Sequence, residues 1–166
     1  MRFKDLKLVV AKRHMRLHAV VMPFIDEALS IAEGLEFDVG SDGFASVTVD
    51  FNREIGLCDR VATSDDDEIV YAIRPGRTRH TRFVMNRIRE ATSKLTMVLH
   101  RESDKWRLIS SWFGEAAKRD PQDNNQTPAE RLEAIEFWSK QALVWGCQPV
   151  FKETMTTECP WIAEYA

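Results

Sequence analysis

The sequence predicts an α+β fold in a single domain, residues 1–166, with an N-terminal helical part packed on a twisted antiparallel β-sheet and a C-terminal helix. Three observations carry this prediction. Apolar residues recur at helical spacing near the N-terminus, strand-favouring residues alternate with polar ones through the middle, and a capping signature opens a second helix towards the C-terminus.

Leu6, Val10, Leu17, Val21, Phe24, Ala28 and Ile31 stand three, four or seven residues apart, which predicts a helix from about Phe3 to Glu33 within a helical part spanning 1–34. Gly34 ends it, and Pro23, which has no backbone donor, kinks or divides it near Met22. Residues 35–114 read as mainly β-sheet. LEFDV and FASVTVDF flank the turn residues Gly40, Ser41, Asp42 and Gly43, which predicts a hairpin. IVYAI is a further strand. The strongest hairpin signal is KLTMVLHR and KWRLISSWF, joined by Glu102, Ser103 and Asp104. Period-2 alternation puts Trp106, Leu108, Ser110 and Trp112 on one face, so that Ser110 lies between two tryptophans.

KRDPQDNNQ reads as a polar loop. After it, Thr127 caps a helix, Pro128 fits its first position and Glu130 completes a capping box. That helix is expected over 127–146, with Leu132, Ile135, Trp138, Ala142 and Trp145 as its apolar stripe and Gly146 as its stop. Residues 147–166 are apolar enough to form a tail packed back on the domain.

A chain that is 44% hydrophobic and 30% charged has the composition of a globular protein, and no apolar run approaches the roughly 20 residues of a membrane-spanning helix. A cytoplasmic protein without a membrane partner is expected. Cys58, Cys147 and Cys159 are odd in number and lack C-x-x-C spacing, so they are expected as unpaired structural thiols, not as metal ligands. Ser64 to Glu68, SDDDE, lacks the glycine and the distant glutamate of a calcium loop and reads as a solvated turn. With no phosphate-binding glycine loop, no dinucleotide fingerprint and no serine-hydrolase elbow, neither a cofactor nor a metal is expected.

Charge is unevenly spread. Residues 70–89 hold six arginines, Arg74, Arg77, Arg79, Arg82, Arg87 and Arg89, and no acid, in a chain of net charge -3, which leaves -9 on the rest. Guanidinium groups grip phosphate oxygens in a bidentate fork and stay charged at any working pH. The segment is therefore expected to face phosphate.

If residues 79–84 are extended, His80 and Arg82 share a face, placing a proton-transfer group beside a phosphate clamp. The surrounding cations favour the neutral, basic form of His80. His14 and His18 stand one helical turn apart, with His14 on the apolar face and His18 near its edge, close to Arg13 and Arg16. His18 is thus a second candidate base, while His100 sits on a strand beside Arg101. Trp112 is a platform on which an unpaired base can stack.

YAIRPGRTRHTRFV, TSKLTMVLHRES and KWRLISSWFGEAA, in that order, resemble the small RNase domains of the barnase/EndoU/colicin/RelE superfamily, over roughly residues 68–120. RLISSWFG resembles the closing strand of that family's toxin and phage-associated branches, with Ser110 where relatives place threonine and Trp112 where they place tyrosine. The resemblance implies Arg82 as the phosphate-stabilising residue, Ser110 as a hydrogen-bond donor, and a histidine from a preceding helix, His18 or His14. It implies a metal-independent endoribonuclease that attacks phosphate through the 2'-hydroxyl. Single-stranded RNA or tRNA is the expected partner, with a cognate antitoxin or inhibitor protein beside it. The alternatives are a non-catalytic nucleic-acid-binding protein and a toxin/immunity-type interaction module. On each reading Arg74, Arg77, Arg79, Arg87 and Arg89 bind the polyanion or acidic partner.

Overall fold

The computed structural model describes residues 1–10, 16–17 and 19–161. Its elements run, in chain order, β1 (Leu8–Val9), β2 (Arg16–Leu17), α1 (Ile25–Ala32), β3 (Phe44–Asp50), β4 (Gly56–Cys58), β5 (Arg60–Ala62), β6 (Ile69–Ile73), β7 (His80–Val84), β8 (Glu90–Thr92), β9 (Lys94–Glu102), β10 (Lys105–Phe113), α2 (Pro128–Ser139), β11 (Gln141–Val144) and β12 (Phe151–Thr156). The fold is α+β, as expected. The chain, expected as one domain, gathers into two compact units, one of residues 1–58 and 91–116 and the other of residues 59–90 and 117–166.

In the first unit, β3, β9 and β10 form an antiparallel sheet, and β1 and β2 both add to β10 in parallel. β3 alternates as its sequence demands, with Ala45, Val47 and Val49 buried and Phe44, Ser46 and Asp50 exposed. Leu95, Met97, Leu99, Trp106 and Leu108 complete that face, against which Ile25, Ala28 and Ala32 of α1 pack. The hairpin of β9 and β10 turns at Ser103, whose φ of 55° is left-handed.

Two expectations fail here. The long helix over 3–33 shrinks to α1, preceded by 3-10 turns at Phe3–Asp5 and Met22–Phe24 and by the short strands β1 and β2. Pro23 sits in the first turn of the second 3-10 segment, where its missing N–H has no partner to lose, so it starts the helical stretch instead of kinking one. LEFDV makes no hairpin with β3, which pairs with β9 instead.

A bulge re-phases β10. The register with β9 shifts between Leu108 and Ser110, so the strand's alternation slips by one residue at Ile109. Trp106, Leu108, Ser111 and Phe113 are therefore the buried set, whereas Ser110 and Trp112 are half-buried. Ser110 does not share a face with Trp106, and the arrangement of a serine between two tryptophans is not formed. Ser111 takes the inward place, donating from its hydroxyl to the Thr96 carbonyl at 2.8 Å.

In the second unit the sheet order is β12-β6-β7-β11-β5, antiparallel except for the parallel pair β7 and β11. Thr127 and Glu130 form the expected capping box and Pro128 occupies the first turn of α2. The helix stops at Ser139, because Gln141–Val144 leaves it to become a strand between β5 and β7. The expected stripe is divided accordingly: Ala142 is buried in the sheet and Leu132 is 64% exposed on the helix, whose buried residue is Ala134. The polar loop before α2 is tightly tied, since Gln126 and Arg131 donate to carbonyls of Pro121 and Asp123, and Trp138 Nε1 to those of Lys118 and Arg119. The tail packs on the same sheet: β12 pairs with β6, and buried Trp161 meets Tyr71 edge to face at 5.3 Å.

Candidate nucleic-acid interface

The arginine-rich segment is the hairpin of β6 and β7 together with the loop that follows it. Pro75 and Gly76 make its turn. Arg77 N–H donates to the Arg74 carbonyl at 3.0 Å and Gly76 has φ of +79°, a type II turn with proline and glycine at the positions that want them. The turn exposes Arg77, which has no side-chain hydrogen bond or ion pair among the described residues.

Arg74, at the other side of the turn, folds back. Its Nε donates to Thr81 Oγ1 at 3.0 Å and its Nη1 to Gln148 Oε1 at 2.6 Å. Burial holds this guanidinium below its ordinary pKa, and the charge of Arg77 acts in the same direction. Arg79 is half-buried and, with Arg74, lies close enough to Asp120 to favour its ionised form. Burial nevertheless pushes the Asp120 carboxyl above its usual range, even though Oδ1 accepts from Gln122 N–H at 2.7 Å. The outer end of the hairpin thus carries three cations and one reluctant acid.

Deeper in the sheet the arginines are occupied otherwise. Arg82 is only 9% exposed and stands opposite Tyr71. Its Nη1 donates to Thr63 Oγ1 at 2.8 Å and to the Gln141 carbonyl at 2.9 Å, which joins β7 to the segment after β5 and to the start of β11. Its buried Nε has no partner, and among the described residues no carboxylate pairs with it. Burial, reinforced by Cys159, pushes the neighbouring Tyr71 hydroxyl up to about 12, although Arg82 pulls the other way.

His80 shares the face of Arg82 in an extended strand, as the alternation requires. Its Nε2 lies 3.0 Å from the Thr154 carbonyl, which only accepts, so Nε2 carries the proton and Nδ1 is the basic nitrogen. Arg87 donates to the Ala62 carbonyl at 2.9 Å and lies 3.8 Å from Asp67, and Arg89 is 3.5 Å from Asp59. These two hold the loop that follows β7 and are partly neutralised.

Ser110 and Trp112 stand on β10, in the sheet of the first unit, while His80 and Arg82 stand on β7, in the sheet of the second. The structure therefore does not gather the four on one sheet. Trp112 Nε1 donates to the Glu115 carbonyl at 3.0 Å. His18, like His14, lies outside the described residues. His100 packs against Phe44, with ring centroids 4.3 Å apart.

Thr81, Gln148 and Asp120 were not singled out by their sequence context. Gln148 in particular is 74 residues from the arginine it holds, and no local signal marks it. Comparison with family models, curated proteins and solved structures finds no match for the chain.

Proposed function

We propose that the protein is a non-catalytic nucleic-acid-binding protein that grips backbone phosphate at the turn between β6 and β7. The observation that carries this reading is Arg77, exposed at the tip without a counter-ion among the described residues and close to a second guanidinium, Arg74. Two neighbouring like charges repel, and a phosphate between them removes that repulsion. Arg79 adds a third cation. The committed positions of Arg82, Arg87 and Arg89 favour a binder over an enzyme, because they spend their donors on the fold.

The test is binding of a labelled single-stranded RNA across a salt series in EDTA, followed by analysis of the product ends. Salt-sensitive binding of intact RNA is expected. Arg77→Ala should lower the slope of log K against log salt by about 0.7, one phosphate contact on a single strand. An unchanged slope sinks the assignment of the turn. Products ending in 2',3'-cyclic phosphate would overturn the non-catalytic reading in favour of a metal-independent endoribonuclease. Absence of both binding and cleavage would overturn it in favour of a module that docks an acidic protein.

A further inference from the structure

We propose that Gln148 is a phosphate-binding residue of this site, a donor aimed by Arg74 at an oxyanion beside Arg77. The inference rests on the reading of the turn as a nucleic-acid interface, and it adds the group that would complete a cradle there.

An arginine and a carboxamide can hydrogen-bond in only one sense. A guanidinium has donors alone, so the atom it meets must be the amide oxygen. At 2.6 Å from Arg74 Nη1, Gln148 Oε1 is fixed in that role and the Nε2 end of the carboxamide points away from the cation. Those two N–H groups have no partner among the described residues, and Gln148 is half-buried, so its orientation is held while its donor end stays available. Arg74 is itself fixed from behind, since its Nε donates to Oγ1 of the buried Thr81 at 3.0 Å. Arg74 is thereby held on one side by the buried Thr81 and on the other orders Gln148 so that what the carboxamide offers outward is hydrogen, and Arg77 supplies a further set of donors with a full charge.

A surface of donors and positive charge selects for a group that only accepts. Nucleic-acid bases present donors and acceptors together on their edges, whereas a phosphate oxyanion presents acceptors alone. Phosphate is accordingly the chemical class that fits Arg74, Arg77 and Gln148. The same chemistry is offered by the backbone of a nucleic acid and by free inorganic phosphate, and the experiment separates these sources.

Binding of a fluorescent single-stranded oligonucleotide is measured for the wild-type protein and for Gln148→Glu, which keeps the length of the side chain and its bond to Arg74 but replaces the donors with a negative charge. Loss of a hydrogen bond to a charged group corresponds to a fall in affinity of about tenfold or more. Unchanged affinity in Gln148→Glu overturns the role of Gln148 while leaving the turn as an interface. Wild-type protein that binds no oligonucleotide overturns the underlying reading. Because a substitution can disturb folding, a second measurement uses the wild-type chain alone. The side-chain amide resonances of Gln148 are followed by NMR as oligonucleotide, a methylphosphonate oligonucleotide with an uncharged backbone, or inorganic phosphate is added. Displacement by the charged oligonucleotide and not by the methylphosphonate is expected. Displacement by inorganic phosphate as well identifies free phosphate as an alternative source, and no displacement by either charged ligand overturns the proposal.

Discussion

Different physics stabilises each of the two five-stranded sheets of this molecule. In the first unit the inward face of β3, β9 and β10 is made of aliphatic and aromatic side chains, Val47, Val49, Leu95, Met97, Leu99 and Leu108 among them, closed over by α1. In the second unit the apolar clusters are small, Val61, Val84, Ala142 and Val144 in one and Ala72, Phe83 and Leu143 in the other. Between them the central strand buries Thr81 and Arg82. Burial of apolar area is non-directional, but a guanidinium inside a sheet has to be met atom by atom. The lesson for a basic segment is that cations in sequence are not cations on a surface, since half of the cluster serves the fold before it serves any ligand.

Four perturbations break or sharpen that contrast. The largest effect is expected at Leu95, fully buried in the first sheet, where Leu95→Ala should cost about 4 kcal/mol in chemical denaturation through lost burial and the cavity left behind. A loss under about 1 kcal/mol would mean that this face is not the apolar core described. Arg82→Ala should follow at about 3 kcal/mol, because it leaves the Thr63 hydroxyl and the Gln141 carbonyl without their shared donor. If Arg82→Met instead matches or exceeds the wild type in stability, the buried charge costs more than its hydrogen bonds return.

Tyr71 gives the next effect, and it depends on pH. Its hydroxyl is raised from 10.0 to about 12 in the folded chain, so between those values the folded state keeps a proton that the unfolded state has released. The stability this contributes is complete below pH 10 and is lost as the pH rises through about 12. Tyr71→Phe should flatten that alkaline limb in denaturation curves taken across the range, and an unaltered limb would assign the titration elsewhere. The smallest effect is expected at the capping box, where Thr127→Ala removes the acceptor for Glu130 N–H and should lower stability by about 1 kcal/mol. Thr127→Ser, which keeps the hydroxyl, should recover most of it.

What could be read from the chain divides along the same line. The capping box, the alternation of β3 and the β9–β10 hairpin each depend on residues within a few positions of one another, and each is where its sequence puts it. The N-terminal periodicity misled because spacings of three and four also arise when short strands and turns each contribute an apolar residue to the same core. Leu6, Leu8, Val10 and Phe24 do pack on that core, but from different elements. Ala142 fell in phase with α2 for a similar reason, although its partner is Val61 across the sheet. The burial of Arg82 depends on Thr63, Tyr71 and Gln141, which no local pattern connects. The free cation at the site was legible, as Arg77 follows the turn directly. Its neighbour Gln148 was not.

The slip at Ile109 makes β10 a strand with two phases, and one residue is the switch between them. Ahead of it, even-numbered positions face the core; beyond it, odd-numbered ones do. Without Ile109 the ladder would run on unbroken with Ser111 and Phe113 still inward, whereas the same chain paired without the bulge would send Ser110 and Trp112 to their places. The identity of the inner surface at this end of the sheet is therefore set by where one extra residue is absorbed as much as by chemistry, and straightening the bulge at constant length would exchange two inward side chains at once.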